Sequence, residues 1–147
     1  MNKIGDLGEQ LVGRWLQLQN YELLEHNWRC RWGEIDLIAQ DRLTKEIAFV
    51  EVKTRSQRNW DEDGLLAINA AKQQKLRQTA SLFLARFTHL ADLPCRFDVG
   101  LVGYQNCKQN LDSSLVLQEL NGLELGQVIT LNRYRLTIKN YLQSAFE

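Results

Sequence analysis

The sequence predicts an α/β domain, a mixed β-sheet flanked by helices, on three observations. Apolar residues recur at helical spacing over 4–19 and again over about 65–87. Three runs of strand length and composition lie between them, at 21–30, 34–40 and 46–54, and a fourth follows at 96–104. The order α-β-β-β-α-β occupies residues 1–104, and 105–147 is expected to form a C-terminal β extension, a hairpin packed on the same domain.

In the first helix Ile4, Leu7, Leu11, Trp15 and Leu18 mark the apolar side, and Asn20 is a plausible stop. Asp6 and Glu9 fall in its first turns, where carboxylates suit the positive end of the helix dipole. Tyr21 to Cys30 alternates imperfectly, and Trp32-Gly33 turns the chain into the second strand. Asp41 to Lys45 is a polar connection to the third. Ser56 to Gly64, polar and carrying Trp60, predicts a mobile loop. The long helix that follows buries Leu66, Ala70, Leu76, Ala80, Phe83 and Leu84, and Pro94 ends the connection to the fourth strand. Farther on, 114–120 and 128–138 both predict strands, with Asn121-Gly122 and Gly126 supplying turns.

A chain of 147 residues fits one domain with a real core, and 44% hydrophobic with 24% charged residues describes an ordered globular protein. Lys+Arg and Asp+Glu are both 18, so a nucleic-acid partner would be held by a local patch and not by a global field. Cys30, Cys95 and Cys107 show no CxxC or Cys/His ligand spacing, which predicts reduced thiols. His26 and His89 stand alone and lend little support to a zinc site or a histidine relay. The N-terminus lacks a signal-sequence pattern, and no run approaches the ~18 apolar residues that cross a bilayer. A soluble, cytoplasmic protein without membrane contact is expected.

Two segments carry chemistry: Gly33-Glu34-Ile35-Asp36-Leu37-Ile38-Ala39 and Ala48-Phe49-Val50-Glu51-Val52-Lys53-Thr54-Arg55. Both are apolar runs with charged side chains set into them, and ionised groups are rarely buried unless paired or bound to metal. Along a strand Glu51 and Lys53 share a face. If the two runs pair as a hairpin, Asp36 sits beside Glu51, and two carboxylates and an amine surround one point. Such a point suits a hard cation and an activated water; a buried ion-pair network is the competing reading. Hydrolysis of a phosphodiester needs charge relief on the phosphate and an activated water, both of which Mg²⁺ supplies with one or two carboxylates from the protein. Lys53 would orient the attacking water or stabilise developing charge.

The acidic residue followed by Glu-x-Lys on the next strand resembles the PD-(D/E)xK nuclease motif, with Ile35 where the strict motif has proline. Gly8-Glu9, Asn27-Trp28-Arg29, the two segments above, Lys72-Gln73 and Arg96-Phe97-Asp98-Val99 together resemble the YraN family of bacterial proteins, over about residues 4–102. That resemblance implies a restriction-endonuclease-like, Holliday-junction-resolvase-like three-layer core with a Mg²⁺ or Mn²⁺ site. It implies metal binding by Asp36 and Glu51, a catalytic role for Lys53, and a further acidic ligand in Glu9. It places Lys72 and Gln73 among the residues that touch nucleic acid.

Arg55, Arg58, Arg29, Arg31, Lys75 and Arg77 are candidates for a phosphate-binding rim with Lys72, although each alone reads as a solvated charge. Glu34 shares the strand face of Asp36 and is expected to pair with Arg31 or Arg55. Trp60 either stacks on an unpaired base or caps the core, and Asp98 reads as a structural acid. Tyr134, Tyr141 and Phe146, with Arg133, Arg135 and Lys139, suit either a nucleic-acid contact or an edge hairpin that forms a homodimer. The function expected first is metal-dependent endonuclease action on structured or branched DNA; the alternative is a catalytically silent nucleic-acid-binding module of the same fold.

Overall fold

Helix α1 (Lys3–Leu18), strands β1 (Tyr21–Cys30), β2 (Gly33–Asp41) and β3 (Ile47–Ser56), helix α2 (Ala70–Arg86), and strands β4 (Cys95–Asn106), β5 (Val128–Leu131) and β6 (Tyr134–Phe146) follow in that order in a computed structural model, which describes residues 3–56, 68–107 and 116–146. The expected α-β-β-β-α-β order and the α/β class are both present. One six-stranded sheet runs β1-β2-β3-β4-β6-β5. Only β3 and β4 pair in parallel, and the connection between them carries α2, as a parallel pair requires.

Alternation along the strands builds two cores. Leu37, Ala39, Ala48 and Val50 pack with Leu11, Val12 and Leu16 of α1 on one face. Ile38, Ile47 and Phe49 pack with Leu76, Ala80 and Phe83 of α2 on the other. The result is a three-layer α/β/α arrangement. No helix among the described residues is long and apolar enough to cross a membrane.

Helix α2 starts at Ala70, later than expected, because Asn69 caps it: the Asn69 side chain accepts the Lys72 N–H at 2.8 Å. Ile68 and Asn69 are not helical, and Ala70 is exposed where burial was expected. Leu66, Arg58, Trp60 and most of the expected loop lie outside the described residues.

The strand expected at 114–120 is replaced, where described, by a single 3₁₀ turn, Leu117–Glu119. Its apolar period is three: Leu117, Leu120 and Leu123 all pack against the α1-side core, the spacing a 3₁₀ turn places on one side. The run at 128–138 is not one strand. Asn132, at φ 55°, reverses the chain, and Leu131 pairs with Tyr134 to make a β5–β6 hairpin. Strand β6 lies inside the sheet, between β4 and β5. Its aromatic residues pack against neighbouring rings. Tyr141 lies 4.9 Å from Trp15, Phe146 stacks on Phe97 at 4.9 Å, and Tyr134 meets Tyr104 edge-on at 5.8 Å.

Candidate functional site

The β2–β3 ladder ends at the pair Leu37–Val50, so the next positions, Asp36 and Glu51, face each other where the strands part. There the Asp36 carboxylate accepts the Val52 N–H at 2.8 Å and takes the place of a ladder bond. Strand β2 also breaks its alternation at Asp36: Leu37 packs on the α1 side, yet Ile35 packs on the α2 side. On the neighbouring strand, Asn27 occupies the facing position between the pairs His26–Leu37 and Trp28–Ile35, with a left-handed φ of 49°. Asparagine is among the few residues that accept that conformation.

Glu9 arrives from α1, and Gly8 explains how. A Cβ at Gly8 would lie 2.1 Å from Thr54 Oγ1, so the helix rests directly on the end of β3. Glu9, the next residue, is thereby held near the end of β3 with its side chain only 13% exposed. Its Oε1 is buried without a hydrogen-bond partner, although the Asn27 side chain bonds the carboxyl and His26 Nε2 lies 3.9 Å from Oε1.

Crowded carboxylates in a dry site resist ionisation. Burial pushes the Glu9 carboxyl up to about 7, and Asp6, Glu34 and Glu51 add to the effect. Asp36 is raised by burial and then by Glu51, against the Val52 N–H, which favours its charge. Burial also raises Glu51, while Lys72 and Lys53 oppose the rise. Lys53 moves downward through burial and the nearby Arg55 and Lys72, with Glu51 holding it up. The sequence-predicted set of Glu9, Asp36, Glu51 and Lys53 is therefore electrostatically one cluster.

The expected rim is only partly gathered here. Lys72 Nζ reaches Glu51 Oε1 at 3.6 Å. Arg55 is exposed and donates to the Thr54 carbonyl at 3.0 Å. Gln73 serves its own helix: its Nε2 donates to the Ile68 carbonyl at 2.9 Å and its Oε1 accepts Arg77. Arg31 lies in the β1–β2 turn with its guanidinium 4.8 Å over Trp32. Glu34 pairs with Arg29 at 3.0 Å and not with Arg31 or Arg55, since Arg29 is its cross-strand neighbour. Two residues at the site received no role from the sequence, Asn27 and His26. The Asn27-Trp28-Arg29 segment entered the family resemblance without a role, and that was the available signal for the first.

The model of the uncharacterised protein family UPF0102 matches residues 8–102, the segment that contains this whole cluster. The chain belongs to the UPF0102 family. It is 46% identical to the UPF0102 protein of Synechocystis over 99% of both chains. It is likewise 46% identical to that of Acaryochloris marina over 98% of this chain and 90% of the relative. The UPF0102 protein of Thermosynechococcus vestitus is 50% identical over 71% of this chain and 84% of its own. The family whose motifs the sequence resembles is thus the family it joins.

Among the described residues of this UPF0102 member, no three acidic, histidine or cysteine side chains converge into a ready-made ion cage. Mg²⁺ and similar ions do not require one, because they keep several waters and take one or two carboxylates. The buried Glu9 Oε1 without a partner and the raised carboxyls of Asp36 and Glu51 are what a divalent cation would relieve. The donor set is all oxygen, which suits Mg²⁺ or Mn²⁺.

Proposed function

We propose that this UPF0102 protein is a divalent-metal-dependent endonuclease that hydrolyses phosphodiester bonds of structured or branched DNA, in repair or recombination. The observation that carries this reading is the buried pair Asp36 and Glu51 at the point where β2 and β3 part, with Glu9 of α1 near enough to raise the Asp36 carboxyl. Those three would hold Mg²⁺ or Mn²⁺. When bound, the cation would offset phosphate charge and acidify a water.

The chain's own groups supply the rest. Lys53 shares the strand face of Glu51 and presents a positively charged donor to the attacking water and to charge developing on the phosphate. Burial and the nearby Arg55 and Lys72 lower its pKa from the ordinary lysine value, while Glu51 favours its charge. Arg55 and Lys72 flank that face and would seat neighbouring phosphates. Cutting a two-fold junction would require two copies of the chain.

One observation favours the silent binding module instead: Lys72 already pairs with Glu51, the place a cation would take. The two readings separate in one experiment. Labelled junction, flap, single-stranded and duplex DNA are incubated with Mg²⁺ or Mn²⁺ and the wild type, Glu51→Gln or Lys53→Ala. Metal-dependent cutting lost in both variants establishes the nuclease. DNA binding without cutting of any form establishes the binding module.

A further inference from the structure

A cavity of about 570 Å³ opens beside the carboxylates, between α1, β1 and the C-terminal segment, and Glu9 forms part of its wall. That size lies in the range of pockets that take small molecules. Leu7, Leu23, Leu37 and Leu131 give it apolar walls, and Gln10, His26, Gln118 and Asn132 line it beside them. Arg14 also lines it. The guanidinium of Arg14 is fixed at both ends, NH1 donating to Gln17 Oε1 at 3.3 Å and NH2 to the Leu120 carbonyl at 2.5 Å. Its Nε is buried with no partner. A buried donor with no partner is a costly arrangement for the folded chain alone.

Along α1, Glu9 and Arg14 are five residues apart, about 7.5 Å of helical rise. One end of the cavity therefore adjoins the carboxylate cluster, and the Arg14 guanidinium lies toward the other. We infer that the cavity takes the base of an unpaired nucleotide whose phosphate lies at the Asp36, Glu51 and Glu9 cluster. A base has apolar faces for the leucines and ring or carbonyl acceptors on its edge for the Arg14 N–H. A base within a duplex cannot enter, because its edge is engaged and its faces are stacked. The inference rests on the nuclease reading of the carboxylates and adds to it a substrate class: strands with an extruded or unpaired nucleotide beside the cut.

The test uses the full chain and DNA carrying 2-aminopurine at a single unpaired position, with a fully paired duplex as reference. Wild type is compared with Arg14→Met and with Gln118→Trp, which fills the cavity from an exposed position on its rim. Insertion is read as a 2-aminopurine fluorescence change in Mn²⁺, and cutting is read on the same strands. The expected result is a fluorescence change with wild type and about tenfold to a hundredfold weaker binding of the unpaired substrate in both variants, with duplex binding unaltered. Should Arg14→Met fail to fold, Gln118→Trp decides alone. Metal-dependent cutting that Glu51→Gln abolishes, with no 2-aminopurine change and no effect of either variant, overturns the cavity inference and leaves the nuclease standing. The fluorescence change without cutting in any metal supports the cavity and removes the nuclease.

Discussion

Lys72 Nζ lies 3.6 Å from Glu51 Oε1, so the helix that covers one face of the sheet delivers a cation to the carboxylate where β2 and β3 part. The position is locally unfavourable. Lys72 sits in the first turn of α2, at the positive end of the helix dipole, where an acidic residue would be preferred. Glu51 supplies the compensation. Lys72 should therefore compete with a metal ion for Glu51 and serve as a phosphate contact once displaced. In Lys72→Met, Mn²⁺ affinity should rise several-fold, while the slope of log DNA affinity against log salt should fall by about 1. Titration of Mn²⁺ by its paramagnetic signal and DNA binding at several salt concentrations check both halves. Weaker Mn²⁺ binding in the variant would remove the competition.

The carboxylates make metal-free stability depend on pH in a defined direction. Glu9 moves from an ordinary 4.5 to about 7 in the fold, and Asp36 is raised as well. Between those pH values the native state binds more protons than the unfolded chain. The contribution is thus fully present below about 4.5 and is lost as pH rises through about 7. In a chelator, urea unfolding should show stability lower at pH 8 than at pH 5. Glu9→Gln should flatten that trend and stabilise the metal-free protein at pH 8 by about 1 kcal/mol, the usual return when a functional site is relaxed. Adding Mn²⁺ should raise the wild-type midpoint at pH 8 far more than that of Glu9→Gln.

A second buried carboxylate has a different task. Asp98 is fully buried and accepts Arg96 Nε at 3.0 Å, the Tyr141 hydroxyl at 2.7 Å and the Ser144 N–H at 3.0 Å. Arg96 also bonds Glu46 and the Tyr21 hydroxyl. The network ties β6 and β4 to β1 and to Glu46, just before β3, and leaves no valence of Asp98 for an ion. Asp98→Ala strands the buried Arg96 and should cost about 3–5 kcal/mol. Tyr141→Phe removes one charge-assisted hydrogen bond and should cost about 1.5–3 kcal/mol. Equilibrium urea unfolding measures both, and equal costs for the two substitutions would show that Asp98 acts through Tyr141 alone.

How much of this was legible in the sequence depends on the range of the interaction that decides each element. Strands β1 to β4 and α1 carry their own apolar period and were placed to within about two residues at most of their ends. The Asp36–Glu51 pairing followed from strand parity and one antiparallel register, both local rules. What escaped is non-local or hangs on one polar residue. Asn132 splits a continuous apolar alternation into two strands, and Leu117 and Leu120 read as strand until their spacing of three, continued by Leu123, is noticed. Tyr141 and Phe146 were ambiguous because nothing in the chain order places β6 beside β4. Asn27 was invisible as a site residue because its role comes from a left-handed backbone and a partner eighteen residues earlier on α1.

Gly8 leaves no room for a side chain against Thr54, and that yields the sharpest energetic prediction. An alanine Cβ at position 8 would fall 2.1 Å from Thr54 Oγ1 and 3.3 Å from Thr54 Cβ, so α1 or β3 must move. Overpacking of this kind costs about 1–3 kcal/mol, against about 1 kcal/mol that alanine returns through helix propensity. Gly8→Ala alone should be destabilising. Thr54→Ala removes the hydroxyl, itself buried without a partner, and opens the space the new methyl needs. Placed in the Thr54→Ala background, Gly8→Ala should become neutral or stabilising, with a coupling of about 1–3 kcal/mol between the two positions. Because the same contact sets where Glu9, the next residue, sits relative to Asp36, Gly8→Ala should also weaken Mn²⁺ binding, and the double variant should recover it. Additive stabilities in the four proteins would mean that the helix is held over the site by something other than this contact.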